Sequence, residues 1–182
     1  FPWVNEGDPI LWWSLPERCV VLRGQERISK SLRKTLRQGR FEVRFDTAFE
    51  AIMRACGKPR GNRDGTLITE AMVQAYTALQ RAGYAHSVEA WREGRLVGGL
   101  YGVSLGAAFF GESMFSVEPD ASKAAFAALC ERCWSWNFAF IDSQVETGHL
   151  RSLGALVMSR EEFLGRLQEA LKAATRQGSW TQ

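Results

Sequence analysis

The chain has no long apolar run, and none reaches the ~18 residues that would indicate a membrane-spanning helix. It also has no signal-peptide pattern, so we expect a cytoplasmic protein. Apolar residues make up 46% of its 182 residues and charged residues 24%, which is typical of an ordinary globular protein. This length is sufficient for one domain with a sizeable core.

Cysteine is scarce, and the four residues Cys19, Cys56, Cys130 and Cys133 are too scattered for a disulfide scaffold. Cys130 and Cys133 form a single CxxC motif. A structural zinc site needs four ligands, and neither of the other two cysteines supplies a second closely spaced pair. Because free cysteine is commonly buried, the pattern favours buried thiols on a helix over a metal site.

The net charge of +3 is too small to indicate nucleic-acid binding by itself, but the basic residues are unevenly distributed. Between positions 18 and 44 only two acidic residues, Glu26 and Glu42, stand against nine basic ones. These are Arg18, Arg23, Arg27, Lys30, Arg33, Lys34, Arg37, Arg40 and Arg44. The asymmetry predicts a local contact with a polyanion.

Part of this basic segment has the spacing of a short helix, with Ser29 as its N-cap and its end near Gly39. At 3.6 residues per turn an apolar stripe is predicted on one face, formed by Ile28, Leu32 and Leu36. The opposite face carries four cations and no acid: Lys30, Arg33, Lys34 and Arg37. Two interpretations stay open, a contact with a nucleic-acid backbone and a solvated outer face.

Further along the chain, periodicity and capping residues predict alternating strands and helices. We expect strands over 41–46, 86–92, 95–104, 107–110 and 138–144, and helices over 47–56, 70–82 and 122–136 with a last one after Ser159. Glu93 and Gly94 form a good hairpin turn. Ser122 is the expected cap of the long helix, and Ser159 with Glu162 forms a capping box.

This order of elements predicts an α+β domain with a mixed sheet flanked by helices. It fits the GNAT fold of acyl-CoA N-acetyltransferases, which hold the CoA pyrophosphate on a glycine-rich loop before a helix. The corresponding stretch here, 111–123 (GESMFSVEPDASK), has no such glycine pattern. We therefore expect a GNAT-like acyltransferase domain over 18–182, preceded by a remnant of a small N-terminal domain over 1–17, and not an acetyl-CoA enzyme.

Five blocks of sequence occur in a distinctive order. They read FPW (1–3) with GDPILWWS (7–14), HSVEAW (86–91) with GGLYGV (98–103), GESMFS (111–116) with SK (122–123), IDSQ (141–144), and HLRSLGA (149–155). Along nearly its whole length the chain resembles the leucyl/phenylalanyl-tRNA–protein transferase family. The resemblance implies a GNAT-like enzyme that binds aminoacyl-tRNA and joins Leu, Phe or Met to the N-terminal Arg or Lys of an acceptor protein. The product is a bacterial N-degron, which marks the acceptor for proteolysis.

The resemblance also implies a catalytic pair, Asp142 and Gln144, two residues apart at the end of an apolar strand. Asp142 could accept a hydrogen bond from the acceptor amine, as a base or as an electrostatic partner. Gln144 could orient the amine or the ester carbonyl. In the structural alternative Asp142 caps a turn and Gln144 binds backbone groups. The transfer is aminolysis of an ester, so no metal or redox cofactor is expected.

Around this pair the family positions imply a pocket for the aminoacyl group, with a charged residue in apolar surroundings. Its expected residues are Trp3, Phe109, Glu112, Ser113, Met114, Phe126 and Ile141. An unpaired carboxylate is costly there, so Glu112 should have a partner. That partner is the donor ammonium, a ribose hydroxyl, or an Arg or Lys of the chain.

One departure from the family pattern is Leu67, where the family usually has Trp. It leaves the amino-acid preference open, because one methylene in an apolar pocket is worth only ~1–3 kcal/mol. It also motivates two alternatives: a related enzyme with a small-molecule amine as acceptor, and a noncatalytic tRNA-binding module. In each case we expect a monomer whose main partner is aminoacyl-tRNA, with no membrane contact.

Overall fold

The computed structural model describes residues 11–58 and 68–181 and the backbone of residues 2–3. Its strands are β1 (Pro2–Trp3), β2 (Leu11–Trp12), β3 (Glu17–Leu22), β4 (Glu42–Phe45), β5 (Ala85–Arg92), β6 (Arg95–Leu105), β7 (Ala108–Ser116), β8 (Phe140–Gln144) and β9 (Leu156–Ser159). Its helices are α1 (Lys30–Arg37), α2 (Phe49–Gly57), α3 (Glu70–Arg81), α4 (Ala121–Ser135), α5 (Gly148–Ser152) and α6 (Arg160–Ala170).

Seven strands form one mixed sheet in the order β4-β5-β6-β7-β8-β3-β9, and β1 pairs with β2 separately. Within the described strands, β7 and β8 are the one parallel pair, and every other neighbouring pair is antiparallel. The connection between two parallel strands must cross over the sheet, and α4 provides it. The predicted α+β class with a mixed sheet flanked by helices is confirmed.

Alternation along the strands divides the core into two faces. Leu100 packs in one cluster with Phe126 and Leu129 of α4. The next residue, Tyr101, contacts the rings of Phe49 and Tyr76 from α2 and α3 on the opposite face. The sheet is therefore covered on both sides, and the residues near its centre are buried.

The same alternation places α6 on the face of α2 and α3. In β8, Ile141 belongs to the cluster that contains α4, whereas Phe140 packs against Phe163 of α6. The face of α4 also carries the C-terminal segment, because Trp180 is 2% exposed and stacks on His86 with ring centroids 3.9 Å apart.

The predicted caps of α1 and α6 and the predicted hairpin turn are confirmed. Ser29, Thr69 and Ser159 precede α1, α3 and α6, and each side-chain oxygen accepts the backbone N–H three residues later. Glu93 and Gly94 have φ of 51° and 72°, the left-handed pair that a tight two-residue hairpin needs. The capping and turn residues therefore predicted these boundaries correctly.

The predicted end of the third central strand and the predicted cap of α4 are wrong. β7 continues to Ser116, so the stretch from Gly111 is strand where a loop was expected. α4 begins at Ala121 after Asp120, and the backbone N–H of Ser122 donates to Oγ of Ser116 at 3.2 Å. The strand pattern is hard to recognise in the sequence because its middle residues line a cavity and are only half-buried.

The structure also differs from the sequence predictions at α1 and at β3. Leu32 anchors α1 with 1% exposure, but Leu36 is 37% exposed, so the predicted apolar stripe does not extend to it. β3 was not predicted as a strand, although it is buried between β8 and β9. Its apolar residues do not alternate with polar ones, because both faces of this strand are covered.

Cys130 and Cys133 lie in the core on α4, as predicted for buried helix thiols, and burial raises the pKa of both. Within the described ranges, no three residues among His, Cys, Asp and Glu are grouped so that they could hold a metal ion. No helix of the described residues is both long enough and apolar enough to cross a membrane.

Candidate active site

A cavity of about 100 Å³ opens where the parallel pairing of β7 and β8 stops. That pairing covers three residue pairs and ends at Phe110 and Asp142. The cavity walls include every predicted pocket residue whose side chain is described: Phe109, Glu112, Ser113, Met114, Phe126 and Ile141. The structure therefore brings together residues from β7, α4 and β8 that are up to 32 positions apart.

Two strand irregularities shape the polar part of the cavity. In the pairing of β6 with β7, Tyr101 lies opposite Ser113 and Gly102 opposite Gly111, so Glu112 is an extra residue. In the pairing of β3 with β8, Ser143 is skipped in the same way. Bulges redirect side chains out of the regular alternation, and both bulged residues line the cavity.

The side of the cavity towards α4 is apolar. Phe109 and Ile141 from the sheet, with Phe126 and Leu129 from the helix, are each at most 2% exposed. A concave apolar surface next to a few polar groups is typical of a site for a ligand with an apolar side chain.

Glu112 lies on the polar side and is held by uncharged partners. Its Oε2 accepts a hydrogen bond from Nε2 of Gln144 at 3.4 Å, and the hydroxyl of Tyr76 also bonds to it. Burial raises the pKa of the Glu112 carboxyl, and these hydrogen bonds oppose the rise. An Arg or Lys is not among its contacts in the part of the chain that the structure describes.

Gln144 bridges the gap between the two strands. Its Nε2 donates to the carbonyl oxygen of Gly111 at 3.0 Å as well as to Glu112. Both partners are acceptors, so the amide orientation is determined, and Oε1 points away from them. Gln144 also borders an open groove of about 310 Å³ that extends to Glu17 and Val157, so it separates this groove from the cavity.

Asp142 is fully buried, and both carboxylate oxygens have partners. Oδ1 accepts the backbone N–H of Gln144 at 2.8 Å, and Oδ2 accepts a hydrogen bond from Nη2 of Arg18. Burial raises the pKa of the Asp142 carboxyl, and Arg18 opposes this rise. These are the contacts expected if the two residues have a structural role. Asp142 holds a turn, and Gln144 binds a backbone carbonyl.

The four cations of α1 are exposed, and they do not line the cavity. Three of them, Lys30, Arg33 and Arg37, surround an open depression together with Leu36. Lys34 lies on the same short helix, which contacts α4. The structure therefore places these four cations on the α4 side of the sheet, apart from the cavity.

Two parts of the predicted pocket fall outside the described side chains. The backbone of Trp3 pairs with Leu11, but the Trp3 side chain lies outside the described residues. Leu67, the departure from the family pattern, also lies outside the described residues.

Several residues of the site were not predicted from the sequence, among them Tyr76, Tyr101 and Arg18. Tyr76 carried no predicted role, and Tyr101 was only part of a sequence block. Arg18 was counted with the surface cations, yet it is 8% exposed and bound to Asp142. Its position one residue before the buried run CVV was the available signal.

Comparison of the sequence with known proteins identifies the family. Residues 20–168 match the profile of the family described as leucyl/phenylalanyl-tRNA protein transferase. The chain belongs to this family. It is 55% identical over 183 residues to the leucyl/phenylalanyl-tRNA–protein transferase of Myxococcus xanthus, covering 100% of this chain and 78% of that protein. The enzyme of the same name from Cellvibrio japonicus is 55% identical over 163 residues, which cover 90% of this chain and 69% of that protein.

The family resemblance deduced from the five sequence blocks is thus confirmed. Among solved structures, L-PGS from Bacillus licheniformis aligns with a TM-score of 0.46 and 12% identity, over 75% of this chain and 47% of that one. A likeness of this size does not assign the fold, which is defined by the strands and helices of the chain itself.

Proposed function

We propose that the protein transfers Leu, Phe or Met from a charged tRNA to the N-terminal amino group of an acceptor protein that begins with Arg or Lys. Family membership supports this reaction, and one structural observation carries it. The observation is a cavity with an apolar wall on the side of α4 and, on the other side, Glu112, which Gln144 holds by a hydrogen bond. An aminoacyl ester has the same division, with an apolar side chain and a polar reacting centre.

The donor side chain would lie against Phe109, Phe126 and Ile141, which exclude water from one wall. Met114 adds an adaptable apolar surface, which suits more than one donor side chain. Glu112 would accept a hydrogen bond from the donor ammonium or from a ribose hydroxyl. Ser113 also lines the cavity, and Trp3 is proposed to complete it.

The acceptor would approach Gln144, which borders the open groove and donates a hydrogen bond to Glu112 of the cavity. An α-amino group has a pKa of about 7.7–8.0, so roughly a tenth to a sixth of it is already uncharged at pH 7. Oε1 of Gln144 can accept a hydrogen bond from this amine while Nε2 is held by Gly111. The amine nitrogen attacks the ester carbonyl carbon, the bond from that carbon to the ribose oxygen breaks, and the proton that the amine nitrogen loses is balanced by the one that the ribose oxygen takes up. Positioning supplies much of the acceleration.

The buried carboxylate of Asp142 would hold Gln144 in position and would not contact the amine itself, because Arg18 and the Gln144 backbone already occupy its two oxygens. The exposed cations Lys30, Arg33, Lys34 and Arg37 would bind the tRNA backbone. We further propose a GNAT-like domain over 18–182 with a small N-terminal unit before it, acting as a cytoplasmic monomer without a cofactor.

The test is transfer from separately labelled leucyl-, phenylalanyl- and methionyl-tRNA to a peptide that begins with Arg. An N-acetylated copy of the peptide shows whether the free amine is needed. We expect Asp142→Ala and Gln144→Ala to lose transfer, and Gln74→Ala, at an exposed position of α3, to keep it.

Other outcomes would contradict the proposal. Faster transfer to a small amine than to the peptide would indicate the alternative acceptor. Binding of tRNA without any transfer would indicate a noncatalytic module.

A further inference from the structure

Arg18 is a buried cation in the interior of the seven-stranded sheet. It pairs with Met158 of β9 along the backbone, and its guanidinium lies 4.8 Å from the ring centroid of Phe163. Two residues later, Val20 lies opposite Asp142 of β8. The side chains of Arg18 and Val20 share one strand face, so Arg18 reaches Asp142 on the side of α6, away from the apolar wall formed by α4.

The contact continues from Asp142 to Gln144. Arg18 holds one carboxylate oxygen of Asp142, and the other oxygen holds the backbone N–H of Gln144. Gln144 has a φ of 63°, which few residues other than glycine adopt. The carboxylate stabilises this backbone conformation, and with it the direction in which the Gln144 side chain leaves the strand.

We infer that Arg18 is a positioning residue for aminoacyl transfer, acting through Asp142 to hold the Gln144 amide where the acceptor amine reacts. This inference rests on the proposed function. Without the guanidinium, the buried carboxylate would have no countercharge and would take up a proton or turn away. Either change weakens its bond to the Gln144 backbone. Arg18 borders the open groove beside Gln144 but does not line the cavity.

The experiment is a double-mutant cycle in the transfer reaction, with kcat and the KM for the acceptor peptide measured separately. We expect Arg18→Met to lower kcat on the order of 10²-fold, since small displacements of reacting groups cost that much. Asp142→Asn should lower it similarly. Because both act through one contact, the double variant should be no slower than the slower single variant.

Two variants separate positioning from general stability. Arg18→Lys keeps the charge but not the planar fork, so it should recover part of the lost kcat. Arg54→Met removes an exposed ion-paired arginine and should leave kcat unchanged. The double variant has no buried charge at this contact, so it should fold even if Arg18→Met does not.

Multiplicative losses in the double variant would overturn the inference. So would a fall in kcat of Arg18→Met that only follows the folded fraction measured by circular dichroism. If the wild-type protein transfers Leu, Phe or Met and Arg18→Met is equally active, the inference is wrong and the proposed function still holds. A wild-type protein that transfers none of them overturns the proposed function.

Discussion

The side chain of Gln144 takes the place of a strand partner for Gly111. Its Nε2 donates to the Gly111 carbonyl oxygen at 3.0 Å, just past the last paired residues of β7 and β8. A buried carbonyl without a partner is costly, so this bond stabilises the open end of the strand pair. It also fixes the amide that donates to Glu112 of the cavity. The geometry of the site therefore depends on an amide here and not only on a polar residue.

The first prediction concerns this amide. Gln144→Glu removes the donor to Gly111 and places a second carboxylate beside Glu112, so we expect transfer to fall on the order of 10²-fold. Single-turnover rates at saturating charged tRNA measure the effect. Gln74→Glu, at an exposed position of α3, is the matched control. Equal rates for Gln144→Glu and wild type would show that the amide has no role.

The second prediction is a pH dependence of stability. Burial raises the pKa of the Glu112 carboxyl above its reference of 4.5. The stability that this group contributes is therefore fully present below the unfolded-state pKa and is lost as pH rises through the folded-state value. Glu112→Gln cannot ionise, so its free energy of unfolding should decline less than that of wild type from pH 4.5 upwards.

Urea unfolding of both proteins over a series of pH values checks this prediction. The other buried carboxyls with raised pKa values, Glu89 and Asp142, are present in both proteins. The charge of Asp142 is one cause of the raised pKa of Glu112, so the comparison measures Glu112 together with this coupling. Parallel pH profiles for the two proteins would show that Glu112 ionises as easily in the fold as outside it.

The third prediction concerns α1. Reversing the charges of Arg33 and Lys34 to Glu should raise the KM for charged tRNA and reduce the salt slope of tRNA binding by about one for each phosphate that is no longer neutralised. Both side chains are exposed, so the melting temperature should change little. Lys172→Glu, near α6 on the other side of the sheet, should leave the slope unchanged. An unaltered slope in the α1 variant would identify a solvated face.

The fourth prediction concerns the C-terminal segment. Trp180 is 2% exposed, its ring stacks on His86, and its backbone N–H donates to Oδ2 of Asp46 at 2.7 Å. Trp180→Ala should lower the free energy of unfolding by about 3–5 kcal/mol, as measured by urea denaturation. Trp12→Ala removes the same side chain at a position that is 77% exposed, and it should have almost no effect. Similar losses in both variants would argue against this anchor.

The fifth prediction connects packing to the cavity. A Cβ on Gly98 would lie 2.6 Å from Cβ of Ala121 and 2.9 Å from the backbone N of Ser122, so the start of α4 would have to shift. Gly98→Ala should cost about 1–3 kcal/mol of stability and should raise the KM for the donor, because α4 carries Phe126. Gly148→Ala is the control, since no atom lies within 4 Å of its added Cβ. An unchanged KM for the donor in Gly98→Ala would show that donor binding does not depend on the position of α4.

Local signals in the sequence were sufficient for the elements with clear caps and turns. Ser29, Thr69 and Ser159 cap helices because their hydroxyls bond backbone groups three residues away, which is a local property. The length of β7 and the positions of β3 and β9 were not predicted. Those strands are defined by neighbours that are distant in sequence, and no short window contains the information.

The same division applies to the site. The motif residues Phe109, Glu112 and Ile141 were predicted to lie together, and they do. The two bulges and the partners of the buried carboxylates were missed. A bulge depends on the register between two strands, and the pairing of Arg18 with Asp142 depends on a strand that the local pattern did not reveal.

Arg18 and Asp142 are 124 residues apart, and β3 enters the sheet between β8 and β9. During synthesis the apolar residues of β3 leave the ribosome long before either neighbouring strand exists. The nascent chain must therefore carry this segment unpaired through most of translation, and the contact at Asp142 is among the last to form. A product stopped before residue 140 would contain the first four strands of the large sheet that follow β3, but it would hold neither Asp142 nor Gln144.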